Sequence, residues 1–528
     1  MAKSSVSAWA PLAIPVFRVL WFAQLGSNIG TWMQTVGAQW FLVESAATAT
    51  VIALVQTASL APSIVLSLPA GVLSDSLDRR KLLIWGSIAS AIVTIALTIV
   101  AAAGALNAGL LLGFTFLLGA SSALTGPAWQ AIQPELVPRE QISAASGLGG
   151  VTVNGARAVG PALAGLILSA FGTPVVFAIN ALSFIGAAAA LLWWKRPRQP
   201  GLDDPEPFWG ALAAGVRYVA SAGLIRRILL RAALFALPAS ALWALLPVVA
   251  QRLQLDSAGY GALLGALGIG ALLGVVALPY ARARVSDNVM LFVSALLYAV
   301  GVAGAIFLPF LGTFIVLIFS GAAWIGTLTV LNASLQLTLA QWVRSRGAAA
   351  YIVVFMGTMA IGSFLWGLLA QMIGLGWALG ITVAVLVLVA ASVIVLPLDP
   401  STGRIDRSID LAWPEPTLVF EPQPTDGPVT IFVTYRVAPQ NQHEFQTAMK
   451  LLGDSRKRTG ASRWRLFRSG EDASSMVEVF TVPSWAEFRR QQTERLTGRD
   501  REMRAAVVEL SQGMPKEEHF FPPEVLPE

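Results

Sequence analysis

Gly71-Val-Leu-Ser-Asp-Ser-Leu-Asp-Arg-Arg-Lys81 is a charged hairpin set between two long apolar segments. Charge is scarce elsewhere: only 12% of the 528 residues are Asp, Glu, Lys or Arg, against 55% hydrophobic, with a mean hydropathy of +0.67. Soluble domains carry about 25% charged residues, so this composition belongs to a chain solvated mainly by lipid. A helix needs about 20 apolar residues to cross the hydrocarbon core. Such stretches recur from Phe17 to Pro397, and the hairpin then reads as a short turn between two crossings. Twelve helices are expected, over 15–43, 48–73, 82–103, 108–133, 141–170, 174–194, 226–251, 257–280, 288–309, 313–341, 346–373 and 377–397.

The net charge of +6 is compatible with nucleic acid or with a membrane, and its placement decides for the membrane. With the N-terminus inside, the inner connections hold Arg79, Arg80, Lys81, Arg139, Lys195, Arg196, Arg198, Arg226, Arg227, Arg282, Arg284, Arg344 and Arg346. The outer connections hold essentially Arg252. Positive charge on short loops sets orientation, so both ends of the membrane region are expected in the cytoplasm. The first apolar run is too long for a cleaved leader and lacks a small-residue cleavage site. Without cysteine and with two histidines, the chain offers no thiolate or zinc site, and no cofactor or metal is expected. Nor is there a phosphate-binding loop of the nucleotide-driven type.

Composition divides the chain into an N-terminal six-helix bundle (12–195), a cytoplasmic linker with an amphipathic helix (196–225), a second six-helix bundle (226–398), a further linker (399–428) and a cytoplasmic α+β domain (429–528). The halves echo each other at an offset of 206 residues, where Gln130, Glu135 and Val137 match Gln336, Gln341 and Val343. Two parallel repeats facing one another would enclose a site near the midplane. In the tail, alternation over Val429–Val437, Trp464–Arg468 and Met476–Val482 predicts strands. Amphipathic spacing over Gln440–Arg458 and Trp485–Gln512 predicts helices. Beyond Ile409 there are 15 basic and 18 acidic residues, so the membrane region supplies the positive excess.

Within the hairpin, Gly71, Leu73, Asp75, Arg79 and Arg80 follow G-x-L-x-D with trailing basic residues, resembling the loop between the second and third helices of major facilitator superfamily transporters. The resemblance implies that Asp75 latches one state of the cycle against the start of the eleventh helix, near Gly347, as an anion at a helix N-terminus can. Asp78 departs from the family's usual Gly. The fifth helix carries Gly147, Ala156, Gly160, Pro161, Ala164 and Gly165, similar to the antiporter motif G-x8-G-x3-G-P-x2-G-G with Ala at two positions. Small residues let helices approach closely, and Gly-Pro bends them. The stretch Gly126–Arg139, followed by Asn154, Arg157, Gly160 and Pro161, narrows the resemblance to bacterial secretion effectors that include the enterobactin exporter. It spans about residues 12–398 and implies a protein of the bacterial inner membrane that exports a siderophore, drug or secondary metabolite by alternating access.

Arg157 falls midway along the fifth helix, where a charge costs at least about 2.5–3.5 kcal/mol. With Asn154 it reads either as a binder of an anionic or oxygen-rich substrate or as a brace to helix carbonyls. Gln24 and Asn28, with Thr31 and Thr35, form a polar stripe on the first helix that faces a cavity or joins helices; Asn332 and Gln336 on the tenth are further candidates. Trp193 and Trp194 fit an interfacial belt. Glu44 and Glu135 lie near the two faces, and Thr115 stands where many proton-driven antiporters carry Arg. Proton coupling is therefore left open. The tail resembles antibiotic-biosynthesis monooxygenases of ferredoxin-like fold, which adds two readings: a docking, dimerising or ligand-sensing role for the tail, or a fused enzyme acting on the cargo. His443, Trp464, Tyr435 and His519 are the residues available to such an enzyme.

Overall fold

The computed structural model describes residues 7–196, 208–398, 416 and 418–525, apart from the side chains at 72, 75, 76, 208–214, 341 and 345. The helices of the apolar region are α1 (Pro15–Glu44), α2 (Ala49–Leu60), α3 (Pro62–Ser76), α4 (Arg79–Ala102), α5 (Ala108–Ile132), α6 (Ile142–Phe171) and α7 (Thr173–Trp193). After α8 (Phe208–Ser221) follow α9 (Gly223–Arg252), α10 (Ser257–Arg282), α11 (Asp287–Phe307), α12 (Phe310–Thr338), α13 (Arg344–Ile373) and α14 (Leu375–Val395). The expected second crossing is one span, Ala49–Gly71, interrupted at Ala61 where Pro62, which has no N–H to donate, opens α3.

Eleven described spans are long and apolar enough to cross a membrane. The 30-residue α1 is not among them, because Gln24, Asn28, Gln34 and Gln39 dilute its hydropathy. It packs against α6 and α7 all the same, and burial of Met33, Val36, Leu42 and the amides Gln34 and Gln39 accounts for how a polar helix is held there.

Local chemistry sets the helix ends. Thr48, Asp78, Asn107, Asp256 and Ser286 each accept a backbone N–H as N-caps. The repeat is visible in the backbone itself. Ala46, after α1, and Gln254, after α9, both turn through positive φ (54° and 55°). Each turn closes with the same bonds, Ala46 N to Val43 O and Ala47 N to Leu42 O, then Gln254 N to Gln251 O and Leu255 N to Ala250 O. Gly172 and Gly374, at φ +77° and +87°, likewise join α6 to α7 and α13 to α14. The two six-helix repeats read from the sequence thus share turn geometry as well as spacing.

Two units emerge from the fold. The first comprises Met1–Pro205, Leu229–Ala333 and Ala349–Leu398; the second comprises Glu206–Ile228, Ser334–Ala348 and Asp399–Glu528. In the second, the tail consists of β1 (Val429–Arg436), α15 (Gln442–Thr459), β2 (Arg463–Arg468), β3 (Ser475–Val482), α16 (Trp485–Arg490), α17 (Gly498–Glu509) and β4 (Lys516–Phe520). Its sheet runs β2-β3-β1-β4, antiparallel throughout, which is the ferredoxin-like order. Val429, Ile431, Val433 and Tyr435 alternate inward against Phe445, Met449 and Leu452 of α15. β4 was not expected: Lys516–Phe520 carries Glu517 and Glu518 and shows no apolar alternation, and pairing with β1 makes it a strand.

In the first unit, α6 and α10 meet backbone to backbone. A Cβ on Gly261 would collide with the Pro161 carbonyl and lie 3.1 Å from Gly165 Cα; one on Gly268 would meet Ala158 N at 2.7 Å. Gly268→Leu should cost about 1–3 kcal/mol by overpacking. It is expected to lower the melting temperature and membrane yield of a fluorescently tagged chain. Gly380→Ala, where the space is open, should leave both unchanged.

Candidate functional site

The centre of the first unit is built around the middle of α6. Gly160 lets α1 come close, since a Cβ there would sit 2.7 Å from Trp32 Cβ and 3.1 Å from the Ile29 carbonyl; Gly165 does the same for α10 at Ser257 and Ala258. The Ser257 hydroxyl donates to the Gly165 carbonyl at 3.2 Å. Pro161 is buried beside them. This close approach presents Arg157 to the aromatic side chains of α1 and α9. Its guanidinium carbon lies 5.6 Å from the Trp32 ring centre and 5.8 Å from that of Trp243. Arg157 Nε and Nη1 are buried and have no hydrogen-bond partner among the described residues.

The aromatic cluster continues into the second repeat. Trp243 meets Trp32 at 5.7 Å and Trp324 at 5.5 Å, and Trp324 in turn touches Phe235, Tyr298 and Phe355. Beside it, Tyr260 stacks on Trp40 and donates to Gln39 Oε1 at 2.6 Å, while Gln39 Nε2 donates to the Trp243 carbonyl at 3.3 Å. Gln34 Oε1 accepts from Asn180 at 2.5 Å. The side-chain amides of α1 are thus divided. Gln34 and Gln39 join helices, whereas half-buried Gln24 and Asn28 bond each other at 3.0 Å. Asn154 is half-buried and donates to the Gly150 carbonyl at 3.0 Å. Asn332 and Gln336 are exposed, Asn332 in the first unit and Gln336 in the second.

Around the hairpin, Gly71 is half-buried with open space where a Cβ would stand. The Asp75 side chain lies outside the described residues. Arg79 bonds Glu135 at 2.6 Å and the Ser74 carbonyl at 3.0 Å. Arg196 grips both Glu135 oxygens at 2.8 Å and lies 3.8 Å from Asp78. The hydrogen bond to Glu135 raises the Arg196 pKa against the opposing effect of burial. Arg80 donates to the Leu191 and Leu192 carbonyls, capping the end of α7. Asp78, the departure from the family pattern, caps α4 through the Arg80 and Lys81 amides.

Sequence reasoning passed over Arg231, Trp243, Tyr260 and Asn180. Arg231, which the sequence reading did not single out, is buried in α9 and spends its donors on the Ser392 hydroxyl (2.9 Å), the Ser392 carbonyl (2.7 Å) and the Leu396 carbonyl (2.8 Å). The isolated Tyr260 and Asn180 carry no local signal, because their partners are 221 and 146 residues away.

In the tail, Glu478 is fully buried and accepts from Tyr435 (3.1 Å), Arg456 Nε (3.2 Å) and Trp464 Nε1 (2.9 Å). Burial, then the Glu478 charge, pushes the Tyr435 hydroxyl up. Burial works against the Arg456 cation, but Glu478 outweighs it and leaves that pKa raised. Of the residues considered for catalysis, Tyr435 and Trp464 are thus committed to one carboxylate, His443 is exposed, and His519 is buried against Trp485 and Phe488. Glu487 receives a two-pronged bond from Arg495 (2.7 and 3.0 Å) and another from Arg217 of α8 (3.1 Å). Arg495 also covers the Trp342 ring at 4.7 Å, Trp342 lying in the α12–α13 connection.

This architecture, two helical repeats meeting through small residues around a buried aromatic core, defines a polytopic membrane transporter of facilitator fold. The family model for transmembrane secretion effectors matches residues 6–520, so the chain belongs to that family. It is 28% identical over 165 residues to the staphyloferrin A transporter of Staphylococcus aureus, covering 31% of this chain and 42% of that protein. To macrolide efflux protein A of Streptococcus pyogenes it is 29% identical over 188 residues, covering 36% and 46%. The chain thus matches less than half the length of either relative. Among solved structures, the nucleoside transporter NupG superposes with a TM-score of 0.61 at 12% identity, over 72% of this chain and 99% of that one. A bacterial homologue of the lysosomal transporter Spinster, inward-facing, gives 0.57 at 15%, over 72% and 96%. These two share the fold.

Replacing Glu478 with Gln leaves Arg456 buried without its counter-charge, which costs about 3–5 kcal/mol. In the full-length chain, Glu478→Gln should make the tail the first segment cut by trypsin, at a temperature the wild type survives. The paired change Glu478→Leu with Arg456→Met should restore most of that resistance.

Proposed function

We propose that this protein is a secondary active exporter. It would carry a small molecule out of the bacterial cytoplasm by alternating access, with both ends of the membrane region inside. The single observation that carries the reading is the side-chain-free contact of α6 with α10. It joins one helix of each repeat along Ala158, Pro161 and Gly165 on one side and Gly261, Gly265 and Gly268 on the other. Such a seam lets two rigid bundles rock while their backbones stay in contact, as alternating access requires. Of the named relatives, the macrolide efflux protein supports an outward direction. Gly71, Asp75, Arg79, Arg80, Gly160, Pro161 and Gly165 belong to the gating elements in this proposal. Gln24, Asn28, Asn154, Arg157 and Asn332 are its substrate or coupling contacts.

The tail acts by docking rather than by catalysis. Its buried polar groups Tyr435, Trp464 and Arg456 are consumed by Glu478. Its contacts outside the sheet go instead to α8 through Arg217, and to the α12–α13 connection through Trp342. Holding that connection would restrain the segment whose movement opens the cytoplasmic side.

Metabolite profiles inside and outside cells test export. In a deletion strain, one compound should accumulate inside and fall outside, and the wild-type gene should reverse both changes. No shift in any metabolite or in drug susceptibility would defeat the proposal. A chain truncated after Thr402 should keep part of the activity, whereas complete loss at normal membrane levels would make the tail integral to the cycle.

A further inference from the structure

We propose that the cargo is an organic anion with a planar body, its oxygens received by Arg157 and its plane laid against the surrounding tryptophans. The inference rests on the export reading and names the class of substrate for that site.

The described arginines of the first unit supply the comparison. Where an arginine braces helices, its donors are satisfied. Arg231 bonds the Ser392 hydroxyl and the Ser392 and Leu396 carbonyls, and Arg80 bonds the Leu191 and Leu192 carbonyls. Where an arginine fastens charged loops, it has a carboxylate, as Arg79 and Arg196 have Glu135. Arg157 has neither. It stands midway along α6, forms no ion pair with the described residues, and leaves Nε and Nη1 buried without an acceptor. A guanidinium never releases its proton at physiological pH, so the charge persists at this depth. The faces of Trp32 and Trp243 return about 0.5–2 kcal/mol by cation–π attraction. They satisfy no N–H, because a ring face offers no lone pair.

The chemistry nearby is one-sided. Trp324, one ring beyond Trp243, also has a buried Nε1 without a partner, and Tyr351, stacked on Phe355, has a buried hydroxyl in the same condition. A cluster rich in unsatisfied donors, holding a fixed positive charge and bearing no acidic group paired to it, selects acceptor-rich anions. It disfavours cations by repulsion and neutral molecules by leaving the charge uncompensated. The indoles meet tilted (Trp32 with Trp243, 5.7 Å) and edge-on (Trp243 with Trp324, 5.5 Å), and aromatic surface gathered in this way favours a planar, ring-bearing body for the remainder of the ligand.

The test is calorimetric binding to the full-length protein in detergent. Benzoate, salicylate and naphthoate are each compared with their carboxamides, which keep shape and lose charge. In at least one pair the acid should bind about tenfold tighter or more, the range of a charge-assisted bond. Arg157→Gln should remove that preference, and Arg157→Lys, which keeps the charge but not the planar fork, should retain part of it. Equal affinities within every pair for the wild type overturn the proposal without reference to any variant. So does a preference that survives in an Arg157→Gln protein of normal melting temperature. Flux into everted vesicles separates the two readings. Export of a metabolite with no acid preference leaves the exporter and removes the anion; acid preference without any flux does the reverse.

Discussion

Absence of side chains holds the first unit together. Lipid offers no hydrophobic drive between helices, so association depends on dispersion and on how closely backbones can come. Along α6 and α10 that approach is extreme: carbonyls and Cα atoms occupy the space where a Cβ would stand at Gly165, Gly261 and Gly268. Everything near the centre follows from it. Gly160 brings Trp32 of α1 onto α6, and Gly165 brings α10 beneath it. The guanidinium one turn from Gly160 is thereby set among rings from both repeats. A larger residue in the seam would separate the repeats and move Arg157 away from Trp243 at the same time.

The motif was legible and its geometry was not. G-x8-G-x3-G-P-x2-G-G is a spacing, and spacing says that small residues share a face. It does not say which helix they receive. Here the face is shared: Gly160 serves α1, and Gly165 serves α10. Twelve helices could be read from hydropathy because lipid imposes length and apolarity on each crossing. The long α1 was counted among those stretches although its amides lower its hydropathy below that of the other spans. The division of those amides into pairs across helices, Gln34 with Asn180 and Gln39 with Tyr260, needs the fold. The same applies to the fourth tail strand, whose sequence has no strand periodicity and which is made a strand by β1.

Charge placement follows one rule in both units. A buried ion is kept where its partners are built in, as Arg456 with Glu478 and Arg495 with Glu487, or where helix ends offer carbonyls, as for Arg231. Each arrangement offsets desolvation by geometry fixed in the chain itself. Arg157, half-buried but with Nε and Nη1 enclosed, breaks the rule, and departures of this kind gather at functional positions. A transporter that carried its own counter-ion at this point would bind its cargo less well, since the cargo would have to displace a tethered carboxylate at high local concentration.

The second unit shows why the tail is more than an appendage. Glu487 begins α16 and faces Arg495 within the domain, yet it also receives Arg217 from α8, the helix between the two repeats. Arg495 in turn lies over Trp342, which Tyr218 of α8 contacts edge-on at 5.4 Å. A Cβ on Gly215 would strike the Arg346 side chain at 2.9 Å, so α8 and the start of α13 also meet closely. Three segments distant in sequence therefore share one small cluster of charge and aromatic surface. Moving the α12–α13 connection would require breaking the Arg495–Trp342 contact or carrying the domain along with it. In either case the tail adds resistance to that motion, and binding to the tail that altered the hold of Glu487 on Arg495 would alter the resistance. On the docking proposal, a domain so placed would regulate transport through these contacts.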